Sequence, residues 1–386
     1  MNYILSDSFQ HSNFLPLSFT RSIADFRIGI LTIKEKWEKL LEQEISIKTE
    51  DYLQPKYKYN LEDSNIIINS AVIPDKNLVN NIKNLKNEVL KKDNDIIAFT
   101  CDKKVSYPNK EIQYQNKILL LKNITDIFSL NEECIKSDFD LITNGRSSKT
   151  LNSTNTILGN NPIFIEDKTD IECCTFNTKQ GPIYIGKNVT IMEGSHIRGP
   201  FVVCDNSIIK MGAKIYGSTT IGPWCKVGGE INNSVFFSHS NKAHDGYLGN
   251  SVIGEWCNMG AGSNVSNLKN SYVNVKLWNY QKERFVDTGL QFCGLIMADH
   301  SKCGINTMLN TGTVVGVSSN IYGGGFPRNF IPSFSQGGYG GMSELKLNNA
   351  FDIMNRVMQR RGIKLSKIEE DIFRHIFNST SKYRNF

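Results

Sequence analysis

The chain has 386 residues, 40% of them hydrophobic and 21% charged, with a formal net charge of +6. That length suits two domains with cores of their own. The basic residues are scattered rather than grouped into a Lys/Arg run, which argues against a nucleic-acid partner, and no apolar stretch reaches the length of a membrane span. The nine cysteines include no C-x-x-C pair, and the start MNYILSDSFQ lacks a charged segment leading into an apolar one. Both features fit a reducing, cytoplasmic setting.

Residues 1–145 read as mixed α/β. Tyr3–Leu5, Asn65–Val72, Asp95–Thr100 and Lys117–Leu121 are apolar runs of strand length, and Ile28–Gln43 and Leu78–Leu90 have helical spacing. This alternation predicts a layered, partly parallel sheet. Residues 146–160 are polar and turn-rich, and are read as a linker.

From 161 to 340 the pattern changes. Ile185, Ile191, Ile197, Val203, Ile209, Ile215, Ile221 and Val227 fall six apart. Neither a helix, with period 3.6, nor a strand, with period 2, produces this spacing. A β-solenoid does, with one inward aliphatic residue per flat face and three faces per coil. The period returns at Ile253, Met259 and Val265, and again at Cys303, Leu309, Val315 and Ile321. Asn232–Gly249 and Lys269–Thr288 are read as loops that interrupt it. Residues 341–386 hold two amphipathic stripes, Leu345–Arg360 and Lys367–Phe377, read as a helical cap over the open end of the solenoid or a trimer contact.

Few residues can carry chemistry. His244, in the first interruption, is a suitable general base for an amine. Lys242 and Lys269 can hold a phosphate, Tyr247, Asn258 and Asn267 can orient hydroxyls, and the backbone at Gly260–Ala261–Gly262 can hold an acyl carrier. A rival reading takes His239 and His244, with His196, as zinc ligands of a hydratase resembling the γ-carbonic anhydrases. In the first half, Arg21, Asp25 and Arg27 form either a structural ion-pair cluster or a cationic site. Asp102, Asp138 and Asp140 are candidates for a metal.

Several motifs carry a resemblance: FLPLSFTRSIADFRIGILTIKEKW, GPIYIG, MEGSHIRGP, NKAHDGYLG, GAGSNVSNLKN and TGLQFCGLIMADHSKCGINTMLNTGTVVG. Over roughly residues 1–340 the chain resembles the alternate, Bacteroidetes-type branch of the bifunctional N-acetylglucosamine-1-phosphate uridyltransferase / glucosamine-1-phosphate N-acetyltransferases. The resemblance implies an α/β nucleotidyltransferase-like domain followed by a left-handed parallel β-helix. It implies a homotrimer that makes UDP-N-acetylglucosamine for the cell envelope from sugar phosphate, acetyl-CoA and a nucleoside triphosphate, UTP, with Mg²⁺. His244 matches the general base, and Lys242, Tyr247, Asn258, Asn267 and Lys269 match sugar-phosphate positions, with Leu268 standing where the family has a Tyr after the Asn. Ala261, Asn310 and Thr311 match the acetyl-CoA groove, and Arg21, Asp25 and Arg27 the nucleotide site. A nucleotidyltransferase that uses the β-helix only as a trimerisation scaffold remains open.

Overall fold

The computed structural model describes every residue, Met1–Phe386. The chain divides into two compact units: Met1–Phe26 with Leu31–Ile124, and Arg27–Ile30 with Thr125–Phe386. No helix is long and apolar enough to cross a membrane.

In the first unit, the apolar runs become strands because they are buried on both faces. β1 (Asn2–Ser6), β2 (Ser46–Lys48) and β3 (Asn65–Asn69) run parallel, with β1 between the other two. The crossover from β1 to β2 carries α1 (Ile33–Leu41). A capping box starts this helix: Thr32 accepts from the Glu35 amide, and Glu35 accepts from the Thr32 amide. Trp37 of α1 is buried and donates from Nε1 to the Val72 carbonyl at 3.0 Å, which ties the helix to β4 (Val72–Ile73).

The helix expected over Leu78–Leu90 is only half right. α2 (Lys76–Lys83) stops early, and Glu88–Lys92 is a strand, β5. Leu78, Val79, Ile82 and Leu85 keep helical spacing, but Asn87 takes a left-handed φ of 52° and turns the chain. β6 (Asp95–Cys101) pairs antiparallel with both β3 and β5, and β7 (Lys110–Gln113) closes the order β2-β1-β3-β6-β5-β7. Leu119–Leu120 forms β8, paired with β4 outside this sheet.

The second unit opens with α3 (Asp126–Ser129) and α4 (Asn131–Thr143) and then winds into a three-sided parallel β-helix from Thr156 to Gly338. Its faces are sheets of nine, ten and six strands, joined coil to coil by parallel pairing. The first strand, Thr156–Leu158, lies within the segment read as linker. All the six-spaced aliphatic residues named above are buried in one continuous core. On the ten-stranded face the inward positions stack in register as Ile171, Ile191, Ile209, Val227, Lys242, Met259, Cys303 and Ile321.

The first expected interruption does not exist. Strands at Glu230–Asn232, Val235–Phe236, Asn241–Lys242 and Tyr247–Gly249 continue all three faces. The inward residues there are Ile231, Phe236, Lys242 and Leu248, so the corners are shortened and the six-residue count slips without breaking the spiral. The second interruption is a true insertion, an antiparallel hairpin of Lys276–Asn279 and Arg284–Asp287, after which the coil resumes at Leu295–Met297.

One corner has an aromatic column. Asn188, Asn206, Trp224, His239, Trp256 and His300 all adopt left-handed φ between 56° and 62°. Asparagine tolerates this conformation, whereas Trp and His meet a steric cost. Ring stacking offsets it: His239 lies 4.2 Å from Trp256 and 6.2 Å from Trp224, and Trp256 lies 6.1 Å from His300.

The tail forms α5 (Leu347–Gln359) and α6 (Lys367–Ser379). It reaches beyond the open end and runs along the aromatic corner. Phe373 meets His300 edge-on, Phe377 meets Phe334, and Arg361 donates to the Trp224 carbonyl. The parallel strands of the ten-stranded face end at Ser335–Gly338, and a short antiparallel strand, Gly341–Glu344, forms its final edge.

Candidate functional site

The first unit places a buried polar cluster at the carboxyl end of β1. With β2 on one side and β3 on the other, the connections diverge there, and open α/β sheets bind ligands at such a switch point. Asp7 is the first residue after β1. Its carboxylate accepts from Ser22 Oγ at 2.9 Å, from the Ile23 amide at 3.2 Å and from Thr49 Oγ1 at 2.6 Å. Burial pushes its pKa up to about 6, and these hydrogen bonds oppose the shift. Tyr57 donates to Asp25 Oδ2 at 2.6 Å and accepts from the Ser22 amide at 2.9 Å. Burial and the Asp25 charge hold its hydroxyl well above the usual phenol range.

Of the expected nucleotide residues, Arg21 and Asp25 lie in this unit. Arg21 is buried beside Tyr57, and Asp25 is half-buried. Arg27 belongs to the second unit, where its guanidinium donates to the Ile30 carbonyl and approaches Cys204 Sγ. Sequence reasoning missed Asp7, Ser22, Thr49 and Tyr57. Asp7 had a signal, since it is the first carboxylate after an apolar strand.

No group of three or more His, Cys, Asp or Glu comes together in the protein, so one protomer forms no all-protein Zn²⁺ cage, whereas Mg²⁺ needs only one or two carboxylates beside the substrate phosphates. Asp138 accepts from the Ile30 amide, and Asp102 accepts from the Lys104 amide. His239 is locked in the aromatic column with Nδ1 against Ser238 Oγ at 2.9 Å. His196 is exposed on the six-stranded face. The zinc hydratase reading therefore finds no ligand set within one protomer.

The second unit presents His244 at a corner between the ten- and six-stranded faces, exposed, with no protein hydrogen bond to its ring. Lys242 corrects an expectation. It fills an inward position between Val227 and Met259, is 1% exposed, and donates to the His244 carbonyl at 2.8 Å and the Gly228 carbonyl at 3.2 Å. Burial pushes its pKa down to about 8, against the pull of Asp245. An ammonium facing the core cannot grip a phosphate arriving from solvent.

Tyr247 and Asn267 do come together. Asn267 Nδ2 donates to the Tyr247 hydroxyl at 3.0 Å and to Asn250 Oδ1 at 2.8 Å. Asn258 lies around the corner, exposed on the ten-stranded face. Ala261 lies one coil beyond His244, and the Gly262 amide donates to the Asp245 carbonyl at 3.0 Å. Glu230, paired in register with Tyr247 and holding the Tyr216 hydroxyl at 2.6 Å, was not anticipated.

Lys269 and Thr311 meet elsewhere. Both line a hollow of about 700 Å³ built by the inserted hairpin, the last coil and the tail. Thr311 Oγ1 lies 2.7 Å from Ser266 Oγ, and Lys269 Nζ donates to the Asn274 carbonyl at 3.2 Å. Asn310 is exposed beside it, its side-chain oxygen accepting from the Thr311 amide at 2.9 Å. In one protomer the expected acetyl-CoA residues are thus divided, Ala261 near His244 and Thr311 at the hollow.

Residues 3–147 match a family model described as "Sugar nucleotidyl transferase". No curated protein matches the chain. Among solved structures, the polysialic acid O-acetyltransferase OatWY is similar at 14% identity over 50% of this chain and 88% of its own, with a TM-score of 0.32. The D94N mutant of AntD, an N-acyltransferase from Bacillus cereus in complex with dTDP and coenzyme A, is similar at 14% identity over 53% and 91%, with a TM-score of 0.22. Both structural likenesses are too slight to bear on activity.

Proposed function

We propose that the chain is a sugar-phosphate transferase with two chemistries. The first unit joins a sugar 1-phosphate to a nucleoside triphosphate, UTP, and releases pyrophosphate. The sugar phosphate oxygen attacks the α-phosphorus, a P–O bond forms, and the bond to pyrophosphate breaks. Arg21, buried beneath the loop, supplies positive charge to the phosphates through its field rather than by contact, and Asp7, with Ser22 and Thr49, fixes that loop. The observation that carries this reading is the family match over 3–147, which includes the buried cluster at the end of β1.

The second chemistry is acetyl transfer to the amine of glucosamine 1-phosphate. The amine attacks the thioester carbonyl of acetyl-CoA, a C–N bond forms, the C–S bond breaks, and His244 takes the amine proton. Tyr247 and Asn267 orient the sugar. In a homotrimer, the exposed Met211 and Ile305 on the His244 corner meet a neighbouring copy.

The test is a paired assay. Wild type given UTP and N-acetylglucosamine 1-phosphate is expected to release pyrophosphate, and wild type given acetyl-CoA and glucosamine 1-phosphate is expected to release thiol. Arg21→Ala abolishes the first and His244→Ala the second. Absence of both products in wild type rejects the proposal.

One observation favours a second reading, in which the solenoid only assembles subunits. Lys242 faces the core, and no side chain orients the His244 ring. That reading expects pyrophosphate without thiol, and no effect of His244→Ala on either.

A further inference from the structure

The hollow that holds Lys269 and Thr311 has a lining that neither chemistry above explains. Its wall is aromatic. Trp278 stacks on Phe330 at 4.2 Å and 10°, meets Phe285 edge-on at 5.5 Å, and meets Tyr383 edge-on at 6.2 Å. Phe285 is left 42% exposed. The Trp278 indole N–H is buried with no acceptor among the protein atoms, and such a donor calls for an explanation.

The rim is cationic. Lys269, Lys276 and Arg328 line the hollow, the one carboxylate at its lining is the terminal one of Phe386, and none of the three cations makes an ion pair within 4.0 Å. Asp287, opposite Lys276 in the hairpin, accepts from the Gly289 amide instead. The contrast is Lys382, just outside, whose charge is met by Glu283. Flat rings beside three cations and a single carboxylate are complementary to a ligand that joins a planar base to phosphate.

We propose that this hollow binds the phosphate-bearing half of a nucleotide, the base lying against Trp278, Phe330 and Phe285 and the phosphates meeting Lys276, Arg328 and Lys269. A nucleoside phosphate is common to coenzyme A and to pyrimidine nucleotides, and the geometry selects that shared part. The site is separate from the cluster at the end of β1. It shares Lys269 and Thr311 with the acetyl-transfer reading, but its occupation requires no turnover.

The test titrates tryptophan emission of the full chain with coenzyme A, ADP and UDP, and with inorganic triphosphate as a probe without a base. Trp278→Leu identifies the part of the signal that belongs to this indole. Saturable quenching dependent on Trp278 is expected for at least one nucleotide, with triphosphate binding more weakly. Lys276→Ala/Arg328→Ala, which alters two exposed side chains and spares the core, is expected to weaken binding about tenfold or more. A response to coenzyme A alone assigns the hollow to the acyl carrier, and a response to UDP assigns it to the nucleotide of the other chemistry. Three results overturn the proposal: no Trp278-dependent quenching by any nucleotide at millimolar concentration, triphosphate binding as tightly as the nucleotides, or unchanged affinity in the double variant. The thiol-release assay, run on the same proteins, shows whether acetyl transfer stands or falls independently.

Discussion

The buried ammonium of Lys242 donates to the backbone carbonyl of His244, two residues along, at 2.8 Å. The exposed imidazole therefore sits on a turn pinned from inside the solenoid. The second bond of that ammonium, to Gly228, reaches the preceding coil.

This pinning has a pH signature. The folded pKa of Lys242 is about 8, below its ordinary 10.5, so between these values the unfolded chain holds the proton more often. Stability must rise with pH across that window, by up to about 3 kcal/mol at 1.36 kcal/mol per pH unit. Urea unfolding of wild type and Lys242→Met from pH 7 to 10.5 checks it. Wild type should gain on the variant above pH 8, and parallel curves would exclude a buried ammonium.

Asp7 predicts the opposite slope. Its folded pKa of about 6 lies above the ordinary 3.8, so the native state holds the extra proton between the two. Its contribution is present at low pH and lost as pH rises through 6, again about 3 kcal/mol at most. Hydrogen exchange of the β1 and β3 amides between pH 4 and 7 should show this local weakening in wild type and not in Asp7→Asn.

His239 should prove structural. Removing its ring in His239→Ala deletes two stacking contacts and leaves a gap between Trp224 and Trp256, at a cost of about 1–3 kcal/mol. His239→Phe should recover most of that in a thermal melt. Neither change should alter thiol or pyrophosphate release.

Gly222 tests coil spacing. A Cβ there would lie 1.4 Å from the Phe237 carbonyl oxygen on the next coil. Gly222→Ala is expected to cost about 4 kcal/mol or more, or to prevent folding. Gly324→Ala, where nothing lies within 4 Å, should stay within about 0.5 kcal/mol. Circular dichroism melts of the two variants decide it.

Much of the solenoid was legible because its core is written as a period. Residues such as Ile191 and Ile209 face inward at a spacing no other element produces. The site was less legible for the same reason. Val227 to Ile231 is four residues and Ile231 to Phe236 is five, so the count drifts just before Lys242. An inward lysine then looks like a ligand in a loop. In the first unit β1, β3 and β6 were readable from their apolar runs, whereas the shorter or more polar β2, β5 and β7 were not, nor was the antiparallel direction of β6, because strand direction depends on connections rather than on composition. Thr49 and Tyr57 reach Ser22 and Asp7 from more than twenty residues away in sequence, and no local pattern marks them.

The tail helices fasten onto the spiral at Trp224, at His300 and at Phe334, well apart along its axis. A coil bonded only to its neighbours could otherwise peel from its last turn under tension, one rung after another. The tail works as a strap across several rungs, so under a pulling force those rungs should let go together, after the strap itself has torn away.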